Sequence, residues 1–333
     1  MAVTLYYWNI MKSTRDNKRF EMVADAAGPV DASYWWAGLV LFLFGSFLWG
    51  RPHVRAVVPT PQPVEKKLSR WDQMGATLTE MADHYDGEVG IYIKDLKTGR
   101  TFERNADQRF VSASLIKLPI MAATCQAIKE NRLSLNTRIK FRNYERRDGS
   151  GNLKWVRAGR SFPLSQLVYA MITQSDNTAT AMVIDRLGYE FLNRCFADFG
   201  LQETRIHPQG MSLANSIDPL LDNYTTPHEM GHLLEKIYNH QLVSDGLSDL
   251  MLEIMKHARS RSRLAKNLPP EWQFARKTGL LRHNCHDVGI VFTPDGGAYV
   301  LCVLTGQNNN YKLAKSLISS VGRMTYEFID QPS

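Results

Sequence analysis

Three short motifs carry residue types that can perform acyl transfer, and they follow one another along the chain. They are Ser-Leu-Ile-Lys at 114–117, Ser-Asp-Asn at 175–177 and Lys-Thr-Gly at 277–279. A serine hydroxyl attacks a carbonyl carbon only when a neighbouring base takes its proton, and a lysine amine with a lowered pKa is such a base. Each motif alone is common, but all three in this order predict a serine nucleophile in a shared cleft.

The first motif predicts the nucleophile and its base. Ser114 and Lys117 are three residues apart, a spacing that puts both side chains on one face of a helix. Burial beside a second cation, here Lys277, is expected to lower the pKa of the base. Ser114 is expected to begin the helix, where free backbone N–H groups favour developing negative charge. Pro119 then falls near the first turn, where a missing donor costs little.

The other two motifs predict the groups that surround this pair. Ser175–Asn177 fits a loop between two helices, where it can also cap the second helix. Lys277 and Thr278 fit the edge of a strand that faces the helix of Ser114, and an ammonium and a hydroxyl there can hold a substrate carboxylate. Without these two motifs, an N-cap serine and a surface lysine would explain Ser114 and Lys117 equally well.

Apolar periodicity predicts strands at both ends of the folded region and a long helical middle between them, from 114 to about 260. We therefore expect an α/β fold, in which an antiparallel sheet flanked by helices (65–113 plus 271–333) meets an all-helical subdomain (114–270) at a cleft. The expected elements are a helix over about 65–85, a hairpin over 88–106, helices over 114–130, 164–174, 177–187, 188–199 and 227–240, strands over 287–293 and 298–305, and a helix over 310–329.

The N-terminal region predicts a membrane anchor. Residues 32–50 carry no charge and have tryptophans near both ends. As a helix they would span about 28 Å at 1.5 Å per residue, close to the hydrocarbon thickness of a bilayer. The tail 1–31 is expected to be cytoplasmic, and the Pro-rich segment 51–64 to be a stiff linker to a catalytic domain at 65–333. Basic residues flank both sides of the span, so its orientation and the extracytoplasmic location of the domain rest on the predicted function.

Charge and cysteine usage limit the partners and cofactors. The net charge is +7, but the basic runs 142–147 and 259–263 are short, which favours a solvated surface over nucleic-acid binding and leaves anionic envelope polymers open. The four cysteines form no Cys-x-x-Cys pair. His283, Cys285 and His286 crowd together, yet no fourth ligand is evident. No metal or other cofactor is predicted.

With these motifs the chain resembles class A β-lactamases, within the wider family of serine penicillin-recognising enzymes. The resemblance covers about residues 65–330. Its fold and chemistry agree with those predicted from the residues. The matching segments are Lys97–Gly99, Phe110–Lys117, Ser175–Ala181, Thr225–Pro227, Leu268–Trp272, Lys277–Gly279 and Val288–Gly296.

The resemblance implies a role for each residue near the reacting carbonyl. Ser114 would attack the carbonyl, with Lys117 as its base directly or through a water. Ser175 would pass the proton to the leaving nitrogen, and Asn177 would position Lys117 and the amide of the substrate side chain. The backbone N–H groups of Ser114 and Leu280 would form the oxyanion hole, in which one such donor is worth about 3 kcal/mol.

The resemblance also implies a site for the substrate carboxylate. Lys277 and Thr278 would bind it, in the motif that Gly279 completes. An arginine fourteen residues before this lysine completes the site in some members, and Arg263 stands at that place.

One departure concerns the removal of the acyl group. Efficient class A β-lactamases carry a glutamate that activates the deacylating water, but no glutamate lies between Thr204 and His228. Alignment places Gly210 there, with Pro208 and Asn223 where an arginine and an aspartate usually clamp the loop. Two aspartates could replace the glutamate, although both are shorter and displaced: Asp218 and Asp222.

The sequence therefore predicts acylation at Ser114 by β-lactams or by peptides ending in D-Ala-D-Ala, with slow hydrolysis afterwards. That behaviour is typical of a penicillin-binding D,D-peptidase whose partner is a peptidoglycan stem peptide. One alternative is a working class A β-lactamase with an unrecognised base. Another is a non-catalytic penicillin-binding sensor, although three intact motifs count against an inactive scaffold.

Overall fold

The computed structural model describes residues 68–211, 219–258 and 260–329. The predicted tail 1–31, membrane span 32–50 and linker 51–64 lie outside these ranges, as does Asp218. None of the helices within them is long and apolar enough to cross a membrane.

Five antiparallel strands form the central sheet, in the order β2-β1-β9-β8-β7. Apolar side chains on β9 alternate between two buried clusters, with Val300 and Cys302 in one and Leu301 and Val303 in the other. Because successive side chains of a strand point to opposite faces, both faces of the sheet are covered. The strands are β1 (Glu88–Asp95), β2 (Thr101–Arg104), β7 (Gln273–Leu281), β8 (Asn284–Phe292) and β9 (Ala298–Gly306).

Helices cover the two faces unequally. The first and last helices of the described chain pack on one face, where Met74 and Leu78 join Ile318 and Val321 in the smaller cluster. The other helices form the larger cluster on the opposite face. The helices are α1 (Arg70–Asp83), α2 (Lys117–Lys129), α3 (Leu164–Thr173), α4 (Asn177–Leu187), α5 (Tyr189–Asp198), α6 (Pro227–Tyr238), α7 (Asp245–Lys256) and α8 (Tyr311–Ile329). The predicted α/β fold, an antiparallel sheet with flanking helices, is confirmed.

The subdomain 114–270 was predicted to be all-helical, but it also contains short strands. Two short strands, β4 (Arg138–Lys140) and β5 (Ser161–Pro163), enclose a non-helical segment, and two-residue strands β3 (Phe110–Val111) and β6 (Tyr224–Thr225) pair beside the cleft. Strands this short have too few residues for their alternation to be read.

The start of the nucleophile helix also differs from the prediction. Ser114 lies in a 3₁₀ turn, Ala113–Ile116, and the α-helix begins at Lys117. Pro119 has no N–H to donate to the carbonyl of Leu115, so one of the α-helical bonds that would join this turn to the helix is missing.

All four cysteines are buried and unpaired: Cys125, Cys195, Cys285 and Cys302. Burial raises the pKa of the Cys125 thiol to about 12 and of the Cys195 thiol to about 11.

Candidate active site

The turn that carries Ser114 is held from both sides. The N–H of Ser112 donates to the carbonyl of Asn223 at 2.7 Å, and the N–H of Leu115 donates to the carbonyl of Ser112 at 2.9 Å. Between them Ala113 has a φ of +46°, in the left-handed region that costs energy for a residue with a Cβ. Surrounding contacts must maintain this conformation, which is common where a fold fixes a reacting group.

The amine of Lys117 lies among four oxygens. Its Nζ is 3.2 Å from Oγ of Ser114 and 3.1 Å from Oγ of Ser175. It is 2.7 Å from both the carbonyl oxygen of Ser175 and Oδ1 of Asn177. The two shortest contacts are to atoms that can only accept. A neutral amine that donates its two N–H groups to them keeps its one lone pair to accept a proton from the hydroxyl of Ser114 or of Ser175.

Burial makes that neutral form accessible. Lys117 has no exposed surface, and desolvation lowers the pKa of its amine from 10.5 to about 7, although the charge of Asp176 opposes the shift. The charge of Lys277 was predicted to lower this pKa, but burial is the cause of the shift. Lys117 can therefore act as a base near neutral pH.

The Ser-Asp-Asn loop connects α3 to α4, as predicted, and Asp176 fixes it. Oδ1 of Asp176 caps α4 by accepting from the N–H of Ala179 at 2.8 Å, and its Oδ2 accepts from the N–H of Leu153 at 2.9 Å. A Cβ on Gly151 would overlap the Asp176 carboxylate, so this close approach requires glycine. The prediction that this motif also caps the following helix is confirmed, and Asp176 is the residue that does so.

Asn177 is held by the same neighbouring segment. Its N–H donates to the carbonyl of Ser150 at 3.0 Å, and its Nδ2 donates to the carbonyl of Asp148 at 2.8 Å. These bonds leave Oδ1 facing Lys117.

The Lys-Thr-Gly motif lies on β7, the edge strand next to the Ser114 turn. Nζ of Lys277 is 3.1 Å from Oγ of Ser175, so that hydroxyl bridges two amines. Burial, followed by the charge of Lys117, lowers the pKa of Lys277 well below 10.5. A Cβ on Gly279 would lie 2.9 Å from the ring of His286 and 3.3 Å from Cβ of Ala113, which shows how closely strand and turn approach. Thr278 is half-buried beside Lys277.

Arg263 lies near this group but does not line the cavity. Its guanidinium is buried and donates to the carbonyl of His286 at 3.2 Å, and its charge helps to lower the pKa of Lys277. Its role in binding a carboxylate stays a prediction.

A cavity of about 180 Å³ opens where these groups meet. It contains the serine and base of the first motif, the asparagine of the second and the residues that follow the third. Leu280, whose N–H is the predicted second oxyanion donor, is 44% exposed at its wall. The lining residues are Ala113, Ser114, Lys117, Gly149, Ser150, Asn177, Gly210, Leu280 and Leu281.

Gly210 occupies the wall of this cavity in the place aligned with the deacylating glutamate. It is buried against Asn223, whose Oδ1 accepts from the N–H of His207 at 2.6 Å. Asp222 does not line the cavity, and its carboxylate pairs with Arg282. The described part of the wall therefore offers no carboxylate to activate water.

The crowded histidine and cysteine segment has a structural explanation. Nε2 of His286 donates to the carbonyl of Val111 at 2.8 Å, and its Nδ1 accepts from the N–H of Thr305 at 3.2 Å. Both ring nitrogens are thus engaged, and within the described ranges no group of three such side chains could hold a metal ion.

Comparisons with known proteins agree with this geometry. A family model described as "Beta-lactamase enzyme family" matches residues 73–329. A β-lactamase of Streptomyces lavendulae is 28% identical over 241 residues, covering 68% of this chain and 77% of that protein. The solved structure of PBP-A has a TM-score of 0.73 at 29% identity and covers 78% of this chain and 96% of that one. A β-lactamase structure from Sphaerobacter thermophilus has a TM-score of 0.72 at 27% identity, with coverages of 79% and 98%.

Fold, site and relatives together define a class A β-lactamase-like serine hydrolase. Because the family match extends over most of the chain, this protein belongs to the β-lactamase enzyme family.

Proposed function

We propose that this chain is a penicillin-binding serine D,D-peptidase. Its acyl donor is a peptidoglycan stem peptide ending in D-Ala-D-Ala, and β-lactams acylate the same serine but leave it slowly. The observation that carries the proposal is Gly210, which lines the cavity where a deacylating glutamate is expected. Water attack on an acyl-enzyme needs a positioned base. Without one, the penicilloyl intermediate is hydrolysed more slowly than it forms.

Acylation needs Ser114 and Lys117, which line the cavity, and Ser175, which lies next to Lys117. The proton of the Ser114 hydroxyl moves to Nζ of Lys117 as Oγ bonds to the substrate carbonyl carbon, and the backbone N–H groups of Ser114 and Leu280 stabilise the resulting oxyanion. Ser175, 3.1 Å from both amines, then gives its proton to the leaving nitrogen as the C–N bond breaks. The Lys117 ammonium returns a proton to Ser175.

The ammonium of Lys277 and the hydroxyl of Thr278 hold the terminal carboxylate of the substrate. A C-terminal peptide and a bicyclic β-lactam both present such a carboxylate near the scissile amide. One solved structure is the acyl-enzyme complex that penicillin G forms with a PBP-A variant, in which a leucine is replaced by glutamate. It supports acylation by penicillin in a relative of this chain.

The location follows from the same function. We infer that the apolar segment 32–50 anchors the chain and that the linker 51–64 holds the catalytic domain outside the cytoplasm, where peptidoglycan lies. Fractionation with protease protection of intact cells tests this location.

Intact mass followed over time after exposure to penicillin G tests the catalytic proposal. A penicilloyl adduct that persists for many minutes on the wild type and is missing in Ser114→Ala supports a D,D-peptidase. A transient adduct with continuous hydrolysis indicates the β-lactamase alternative, which the names of several relatives favour. No adduct on the wild type would falsify both. Release of D-alanine from a stem-peptide mimic then separates a peptidase from a sensor.

A further inference from the structure

Residues 138–160 form a small lobe beside the cavity, here named the basic lobe. Strand β4 opens it, and β5 begins directly after it with the register Lys140↔Ser161. The guanidinium of Arg146 closes the lobe by donating to the carbonyls of Lys154 and Val156. Its cationic side chains are therefore gathered in one compact region.

The basic lobe carries most of the net charge of the chain. It contains eight lysines and arginines against two acidic residues, a net charge of +6 where the whole chain carries +7. Glu145 is buried and accepts from the N–H of Arg142. Within the described ranges, Arg142 with Asp185 is the ion pair that the lobe forms. Six of the cations are exposed: Arg138, Lys140, Arg142, Arg147, Arg157 and Arg160.

Two aromatic side chains extend from the same lobe into solvent. Trp155 is 79% exposed and Tyr144 is 58% exposed, so neither is needed for the core. Nζ of Lys154 lies 5.1 Å from the centroid of the Trp155 ring. Flat rings beside cations suit a ligand that has both anionic groups and sugar faces.

The lobe is continuous with the catalytic cavity. Gly149 and Ser150 belong to the lobe and line the cavity, and the carbonyls of Asp148 and Ser150 bind Asn177. A polymer whose end occupies the cavity therefore passes directly onto the cationic surface.

We propose that the basic lobe binds the peptidoglycan strand whose stem peptide occupies the cavity. The inference rests on the proposed function and extends it to the part of the substrate beyond the scissile bond. Free carboxylates along the peptidoglycan strand would pair with the exposed cations of the lobe. The sugars of the strand would stack on the rings of Trp155 and Tyr144. Continuity with the cavity favours this occupant over a membrane surface or nucleic acid, neither of which would have to reach Ser114.

Co-sedimentation with purified sacculi, stripped of phosphate polymers by acid, tests the docking surface on the full chain in mild detergent. The variant Lys140→Glu/Arg157→Glu/Arg160→Glu removes three exposed cations that do not line the cavity. A matched control, Lys97→Glu/Arg100→Glu/Lys312→Glu, makes the same charge change elsewhere on the surface. The lobe variant is expected to bind sacculi at least about tenfold more weakly at low salt, and the control within about twofold of wild type.

Acylation of Ser114 by penicillin G is measured on every variant, because a small β-lactam does not extend over the lobe. Equal acylation with weakened sacculus binding supports the docking surface. Equal sacculus binding by the lobe variant overturns it, as does a loss confined to duplex DNA or to phosphatidylglycerol in micelles. If the wild type is not acylated, the proposed catalytic function fails, and lobe-dependent binding would then still identify a wall-binding surface.

Discussion

A Cβ placed on Gly210 would lie 2.5 Å from Cγ of Asn223, closer than packed atoms come without a shift. Asn223 has little freedom to move, because its side chain accepts from the N–H of His207 and its backbone carbonyl accepts from the N–H of Ser112. Asn223, which lies against Gly210, thus also supports the turn before Ser114.

Restoring a glutamate alone is therefore expected to fail. Gly210→Glu should lower the free energy of unfolding by about 1–3 kcal/mol through overpacking, without fast hydrolysis of a chromogenic cephalosporin. Gly210→Glu/Asn223→Gly removes the two side-chain overlaps, but the backbone nitrogen of Asn223 would still lie 2.6 Å from that Cβ and the N–H of His207 would lose its acceptor. The double variant should therefore recover only part of the lost stability, while hydrolysing faster than the single variant. Gly246→Glu is the control, since no atom lies within 4 Å of a Cβ there. A fully stable, rapidly hydrolysing Gly210→Glu protein would contradict the packing argument.

The acylation rate should rise with pH through about 7 and level off above it, because the neutral amine of Lys117 takes the serine proton and burial lowers its pKa to about 7. Stopped-flow acylation between pH 5.5 and 9 measures this limb. Lys94→Ala, which removes a lysine paired with Glu235, should leave the midpoint unchanged. A flat profile from pH 6 to 8 would rule out Lys117 as the proton acceptor.

The buried pair of Arg276 and Asp287 predicts an asymmetry between single and double variants. Nε of Arg276 is 3.5 Å from Oδ1 of Asp287, and both side chains are almost completely buried. Asp287→Asn leaves the arginine uncompensated beside Lys277 and should cost about 3–5 kcal/mol of unfolding free energy. Arg276→Met/Asp287→Asn removes the charge as well and should cost clearly less. Urea titrations of Asp287→Asn, Arg276→Met and the double variant measure the coupling, and strictly additive losses would disprove it.

His286 predicts sensitivity to acid. Burial lowers the pKa of its ring from 6.5 to about 4, although the hydrogen bond to the carbonyl of Val111 opposes the shift. Between these values the unfolded chain binds a proton that the folded chain does not, so stability falls as pH falls from 6.5 to 4, by on the order of 3 kcal/mol. Urea unfolding across this window measures the slope. His286→Gln should flatten it and the exposed-residue variant His84→Gln should not; an unchanged slope in His286→Gln would assign the effect to other groups.

Much of the site could be predicted because its reactive groups belong to a few residue types that occur in short, recognisable motifs. Ser114, Lys117, Ser175 and Lys277 were recognisable from the sequence, and the structure brings all four within hydrogen-bonding distance of one another in a chain of contacts. The sheet and most helices followed from periodicity, since long elements repeat their pattern several times.

What the sequence could not supply depends on tertiary contacts. Ala113 and Ser175 have φ values of +46° and +55°, although neither residue type favours that region. The segment between β4 and β5 has no periodicity, so its fixation of Asn177 through Asp148 and Ser150 appears only in three dimensions. That burial lowers the pKa of Lys117 against the opposing charge of Asp176 also needed the packed structure.

The unpaired, fully enclosed cysteines have a practical consequence. A maleimide or an aromatic disulfide reagent reaches a thiol only when the surrounding chain opens, since none of the four sulfurs is at the surface and their raised pKa values keep them protonated. The native chain therefore carries its own reporter of unfolding, and a cysteine introduced on the surface can be labelled without first removing any natural one.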